Sequence, residues 1–198
     1  MGRKLNLIQI EKTLREKKFK IFTPFEFSRI FDTSAISAQK ILERYTKKGV
    51  FIRLKKGLYA FALDYPNEMV LANRIYAPSY ISFETALSYY HLIPETVYSI
   101  TSATSKSTRE FFLKEMVFSY LKIKKEAFTG YVPSQFNEDT ILIALPEKAV
   151  CDYLYFVSLG KKKLNDRLEV DGLDPKKIKK YLRLFRRKGL ERIINDLF

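Results

Sequence analysis

Histidine and cysteine occur once each in this 198-residue chain, as His91 and Cys151, and tryptophan does not occur. One thiol permits no internal disulfide, which fits a reducing cytoplasm, and one imidazole with one thiol cannot build a His/Cys zinc site. No phosphate loop, dinucleotide fingerprint or nucleophile elbow is present. Cys151 falls on the apolar side of an expected helix and reads as a small core residue. His91 ends another expected helix and reads as a cap or packing residue. An enzyme would therefore have to work with carboxylates. The nearest set is a metal nuclease built from Glu84, Asp139, Glu147 and Lys148. Such sites want an acid and a lysine two apart on a strand, sharing one face. Glu147 and Lys148 are adjacent and follow Pro146, where a helix start accounts for the glutamate. No catalytic residue, cofactor or metal is expected.

Long apolar runs are also missing: none approaches the roughly 18 residues of a membrane span. Gln9, Glu11 and Lys12 interrupt the first apolar positions, so no signal-peptide core is expected either. These absences predict a soluble cytoplasmic protein without a membrane partner. The chain is not disordered, since apolar residues make up 46% and aromatics 15%. With 16 Phe and 13 Tyr, its cores are expected to be aromatic-rich.

Acidic charge is scarce in one place only. Residues 1–63 hold 15 Lys/Arg against 5 Asp/Glu, residues 64–150 hold 8 against 10, and residues 151–198 hold 13 against 7. A surplus concentrated at one end is the footprint of a polyanion binder, whereas an even spread would serve solubility alone. The chain is also too long for one small domain of roughly 60–80 residues.

Glycine and proline are scarce, seven each in the whole chain, and Pro24, Gly49 and Gly57 punctuate the basic segment. Thr23 is placed to cap a helix opened by Pro24, with Phe25, Phe27, Ile30 and Phe31 on its apolar side. Asp32-Thr33-Ser34 makes a turn and Ser34 caps a second helix. There Ala35, Ala38, Ile41, Leu42 and Tyr45 recur at spacings of three and four, and Gly49 ends the helix. Residues 50–54 and 58–61 make two short strands about the turn Lys55-Lys56-Gly57. A further helix near residues 4–18, carrying Leu5, Leu7, Ile8, Leu14 and Phe19, would complete a three-helix core. The order is that of a winged helix-turn-helix, and double-stranded DNA is the expected partner.

Outward positions on the second helix then acquire roles. Ile36 points away from the apolar face with Ser37, Gln39, Lys40, Arg44 and Lys47. Ser37, Gln39 and Lys40 are early enough to reach base edges; Arg44 and Lys47, with Arg53, Lys55 and Lys56 of the hairpin, are candidates for phosphate. A winged helix used for protein contacts is the alternative, and a net charge of +10 over 63 residues counts against it.

Beyond Tyr65-Pro66-Asn67, where Pro66 opens a helix through about Tyr76, a second domain over residues 64–198 is expected. Strands are expected at Tyr80–Ser82, Val97–Thr101, Val117–Ile123 and Thr140–Leu145. Helices are expected at Phe83–His91 with Ser82 as cap, from Pro146, and from Pro175 with Asp174 as cap. The fold class is α+β: a winged helix-turn-helix followed by a small mixed sheet with a helical C-terminus.

Three segments resemble one family. Arg53-Leu54-Lys55-Lys56-Gly57-Leu58-Tyr59, Tyr80-Ile81-Ser82-Phe83-Glu84-Thr85-Ala86-Leu87-Ser88-Tyr89-Tyr90-His91-Leu92-Ile93-Pro94 and Ile143-Ala144-Leu145-Pro146-Glu147-Lys148-Ala149-Val150-Cys151-Asp152 are similar to segments of AbiEi-type antitoxins. The likeness spans roughly residues 10–160 and consists of packing patterns rather than catalytic signatures. It implies an N-terminal winged helix that represses its own operon in a type IV toxin–antitoxin system of phage defence. It also implies a C-terminal domain that counters a nucleotidyltransferase-like toxin without a stable complex. A winged-helix repressor whose second domain binds a ligand or mediates assembly is the alternative.

Near the C-terminus, Lys176, Lys177, Lys179, Lys180, Arg183, Arg186, Arg187 and Lys188 surround one apolar stripe. A solvated helix face accounts for them plainly. The functional reading is a second nucleic-acid surface on Lys176, Lys179, Lys180, Arg183 and Arg187, or contact with an RNA or nucleotide used by a toxin.

Overall fold

Residues 5–195 are described by the computed structural model, which is mixed α and β and divides into two compact units, Met1–Ile75 and Tyr76–Phe198. Among the described residues no helix is long and apolar enough to cross a membrane.

The first unit contains α1 (Leu7–Glu16), β1 (Ile21–Phe22), α2 (Pro24–Ile30), α3 (Ala35–Lys47), β2 (Phe51–Lys55), β3 (Leu58–Phe61) and α4 (Glu68–Ile75). Local chemistry sets each boundary. At the start of α2, Thr23 and Glu26 form a reciprocal capping box, and Pro24 takes the first turn. Asp32 adopts a left-handed φ of 46° between α2 and α3, a conformation that aspartate tolerates. Ser34 caps α3 through the amide of Ser37 at 3.2 Å. Gly57, at φ 74°, turns β2 back into β3. The two-residue β1 adds a third antiparallel strand, in the order β1-β3-β2. It is too short to leave a period in the sequence.

The core of this unit is aromatic, and Phe51 is its hub. Its ring lies 5.3 Å from Phe22 and 6.2 Å from each of Phe27, Tyr45 and Phe61, mostly edge to face. Ile10 and Leu14 of α1 close the core from one side, with Ala38 and Leu42 of α3. Ile8, expected in this core, is 77% exposed. Two residues of helix rotate a side chain by about 200°, so burying Ile10 and Leu14 turns Ile8 outward. Ala35 is exposed as well, at the first position of α3.

Unit one extends past the boundary expected at residue 64. Arg74 of α4 clamps both Glu26 oxygens at 2.7 and 2.8 Å, and Lys55 donates to the carbonyl of Ile75. Pro66 precedes α4 rather than opening it, and Asn67 caps the amide of Met69 at 2.9 Å.

In the second unit a mixed six-stranded sheet has the order β6-β7-β5-β4-β9-β8. Its strands are β4 (Ser79–Ile81), β5 (Ser99–Thr104), β6 (Arg109–Leu113), β7 (Met116–Lys122), β8 (Tyr131–Phe136) and β9 (Asp139–Ala144). The β4–β9 and β5–β7 pairs are parallel and the rest antiparallel. The outer strands β6 and β8 have only exposed or half-buried side chains, unlike their neighbours β7 and β9, which bury residues in the core. Helices α5 (Phe83–Tyr89), α6 (Pro146–Ser158), α7 (Pro175–Phe185) and α8 (Lys188–Asn195) complete the unit.

A polar centre lies inside it. Lys148 and Asp152, one turn apart on α6, are both fully buried and paired to each other. Asp152 also accepts from the Tyr80 hydroxyl at 2.9 Å and from Ser82 at 2.7 Å. Rings of Phe185 and Tyr80 lie 4.9 and 5.7 Å from the Lys148 ammonium. Ser82 therefore does not cap α5 as expected; its hydroxyl is taken by a buried carboxylate, and the Thr85 amide in the first turn donates to the Thr101 hydroxyl at 3.2 Å instead. Burial pushes the Tyr80 hydroxyl well up from its ordinary value, and the adjacent Asp152 charge adds to that.

Asp152→Ala should cost about 3–5 kcal/mol in urea unfolding, because it strands a buried ammonium and two hydroxyls. Replacing both Lys148 and Asp152 by apolar residues should restore much of that loss. Acid probes the first unit instead. Burial alone would raise the Glu26 carboxyl, but Arg74, with the amide and hydroxyl of Thr23, outweighs it and holds Glu26 below its ordinary value. A depressed folded value stabilises above the unfolded carboxylate range, about pH 4.3, and that stability is lost as pH falls through the folded value. Glu26→Gln should flatten the acid limb of thermal melts recorded between about pH 7 and pH 3.

Candidate nucleic-acid interface

The apolar stripe of α3 faces the Phe51 core through Ala38, Leu42 and Tyr45, all buried. At about 100° per residue, the opposite side of the helix is centred on Ile36, Lys40 and Lys47, with Ser37 and Arg44 beside them. All five are exposed, and Ile36 retains 71% of its surface. The first turn of α3 carries no acid, so the Ser34 hydroxyl caps its positive end without a carboxylate to neutralise it. The guanidinium of Arg44 lies over the Tyr45 ring at 4.9 Å, which holds the long side chain against the helix.

Two of the expected contact residues are occupied within the chain. Gln39 is half-buried, and its amide nitrogen donates to Glu43 at 2.6 Å and to the Tyr59 hydroxyl at 3.2 Å. Both of its N–H groups are thereby used, and bidentate pairing with adenine would require breaking one bond. Lys55 is half-buried and reaches the last carbonyl of α4, where a cation satisfies the helix end. Lys56 and Arg53 are exposed on the hairpin, and Arg53 stands opposite Tyr59 in register.

Sequence pattern alone assigns no role to Glu43 or Tyr59. Glu43 is an exposed acid on an otherwise basic face, and Tyr59 is the buried post that fixes Gln39. An i,i+4 polar pair such as Gln39 and Glu43 is a readable signal. The Tyr59 contact, twenty residues away, leaves none.

On the second unit, Lys176, Lys179, Lys180 and Arg183 are exposed on α7, while Ile178, Leu182 and Phe185 are buried beneath them. Lys177 is drawn to Glu147 at 3.2 Å, and Arg187 donates to the Ser158 hydroxyl and carbonyl at 2.8 and 2.5 Å. The side chain of Lys188 lies outside the described residues. Residues weighed for a metal nuclease are dispersed among separate partners. Glu84 binds Lys162 at 2.5 Å, Glu147 binds Lys177, Lys148 binds Asp152, and Asp139 begins β9. No three His, Cys, Asp or Glu side chains among the described residues form a metal-binding group. Cys151 is buried, and that burial pushes its thiol above its ordinary value, so it is not a poised nucleophile.

No protein-family model and no curated protein matches the chain.

The two hairpin lysines should separate experimentally. Lys55→Ala should lower the melting temperature, since it uncaps α4, whereas Lys56→Ala should leave melting unchanged within about 0.5 kcal/mol. Differential scanning calorimetry of both variants tests this.

Proposed function

We propose that the protein is a DNA-binding transcriptional regulator and the antitoxin of a type IV toxin–antitoxin system. The first unit is read as a winged helix-turn-helix, with α3 as recognition helix and the β2–β3 hairpin as wing. One observation carries this reading: the outward face of α3 presents Lys40, Arg44 and Lys47, with Glu43 the one acid of the helix, and is turned out by the burial of the opposite stripe. Lys40, Arg44, Lys47, Arg53 and Lys56 supply phosphate contacts, and Ser37 with Lys40 reaches base edges. Gln39 and Lys55 act in this account as supports, one bracing α3 against Tyr59 and the other capping α4.

The antitoxin half rests on the resemblance of residues 53–59, 80–94 and 143–152 to AbiEi-type antitoxins. In the second unit those segments contribute β4, α5 and α6, which surround the Lys148–Asp152 centre. Repression then belongs to the first unit, and protection from a nucleotidyltransferase-like toxin to the second.

Variants of the full chain test both halves. Lys40→Ala, Arg44→Ala and Lys47→Ala together should weaken binding to DNA upstream of the gene on every sequence. They should also reduce the slope of log affinity against log salt by about 0.9 for each phosphate no longer neutralised. The same triple variant should still protect cells against the neighbouring toxin. Gel shifts that show no salt dependence would remove the DNA reading. A wild-type chain that protects against no neighbouring toxin would remove the antitoxin reading and leave a repressor with another second-domain role.

A further inference from the structure

We infer that Ile36 is a specificity-determining side chain of α3 and packs on the 5-methyl group of a thymine in the major groove. The inference rests on the reading of α3 as the DNA-facing helix, and it names what that helix recognises. Scattered exposed apolar residues are common on protein surfaces; position and company single this one out. Ile36 is 71% exposed, one residue inside the N-terminus of α3, at the centre of the face opposite Ala38, Leu42 and Tyr45. Lys40 is one turn further on and Lys47 lies on the same stripe, both exposed. A basic face of that kind suits the phosphates that border a groove, and the apolar residue at its leading end then meets the base edges.

The surrounding hydrogen bonds narrow the chemistry. Adenine would be read by an amide with one donor and one acceptor free, and both donors of Gln39 are already committed to Glu43 and Tyr59. Lys40 is suited to the guanine acceptors O6 and N7. The Ser37 hydroxyl accepts from Ser34 at 2.9 Å and discriminates weakly in any case. Of the four bases, thymine alone presents a methyl group in the major groove, and among the outward residues of the first two turns Ile36 is the one large apolar side chain. Covering that methyl with Ile36 removes apolar surface of both partners from water without requiring any hydrogen bond.

Methyl deletion on the DNA gives a direct test with the full-length chain. The probe is duplex DNA from immediately upstream of the gene, cut to the footprinted segment, with each thymine replaced singly by deoxyuridine. At one position per contacted site, wild-type affinity should fall about fourfold, the factor for one buried methyl-sized group. Ile36→Ala should bind the thymine duplex more weakly than wild type and be indifferent to deoxyuridine at that position. Ile36→Val should keep part of the discrimination. Ile36 is exposed and alanine is a good helix former, so both variants should melt as wild type does. If wild type binds its site specifically but no deoxyuridine duplex is weakened, the methyl contact is wrong and the reading of α3 survives. The methyl contact is equally wrong if Ile36→Ala remains as sensitive to deoxyuridine as wild type. If wild type shows no sequence-specific binding at all, the DNA reading falls and this inference with it.

Discussion

Packing around Phe51 is the constraint on which the first unit and its candidate interface depend. The ring sits at the start of β2 and meets aromatic side chains from β1, α2, α3 and β3. Because α3 contributes Tyr45 to that cluster and Leu42 to the same core, the rotation of the helix about its own axis is set. A helix whose buried stripe is fixed has no freedom in which residues it shows to solvent. Lys40, Arg44 and Lys47 are presented as one face by aromatic packing on the other side, not by any interaction of their own. Gln39 adds a second tie from that edge of α3 to Tyr59 of β3.

A different device orders the second unit. Its polar centre ties α6 to β4 and the start of α5 through one carboxylate, Asp152, which takes three donors. Three donors on a buried acceptor satisfy it, and the Lys148 ammonium is enclosed by its partner and two aromatic faces. That geometry offsets only part of the cost of dehydration: burial outweighs the ammonium and the two hydroxyl donors and holds the Asp152 carboxyl above its ordinary value, so the arrangement is intolerant of losing any one member. Gly130 shows how tightly the surroundings close. A Cβ there would come within 2.6 Å of the Tyr181 ring and 3.1 Å of the Lys148 side chain, and its φ of 77° already disfavours any other residue.

Between these two cores, the cations divide into those spent on the fold and those left facing solvent. Lys55, Arg74, Lys148, Lys162, Lys177 and Arg187 hold carbonyls, a hydroxyl or carboxylates within their own unit. Lys40, Lys47, Arg53 and Lys56 in the first unit, and Lys176, Lys179, Lys180 and Arg183 in the second, remain exposed. Net charge alone therefore overstates the surface available to a polyanion. A count along the chain treats Lys55 and Lys56 as equals, although one is half-buried against α4 and the other is in water.

Much of the first unit was legible because its signals are local. The capping residues Thr23 and Ser34, the helix-opening Pro24, Gly57 in the hairpin turn and the three-four spacing in α3 act over a few residues, and the structure keeps each of them. The outer strands β6 and β8 leave little trace in the sequence. Backbone pairing to β7 and β9 makes them strands, and pairing is a property of the neighbour as much as of the residues themselves. So the sequence by itself determined the element order of residues 23–61, the basic outward face of α3 and the apolar identity of its hidden side. Tertiary structure decided which polar groups are spent internally. Gln39 meets Tyr59 twenty residues away, Ser82 meets Asp152 seventy away, and Lys55 ends on a helix that begins after residue 64. Hydrogen bonds over such separations depend on where the chain returns in space, and periodicity carries no record of it.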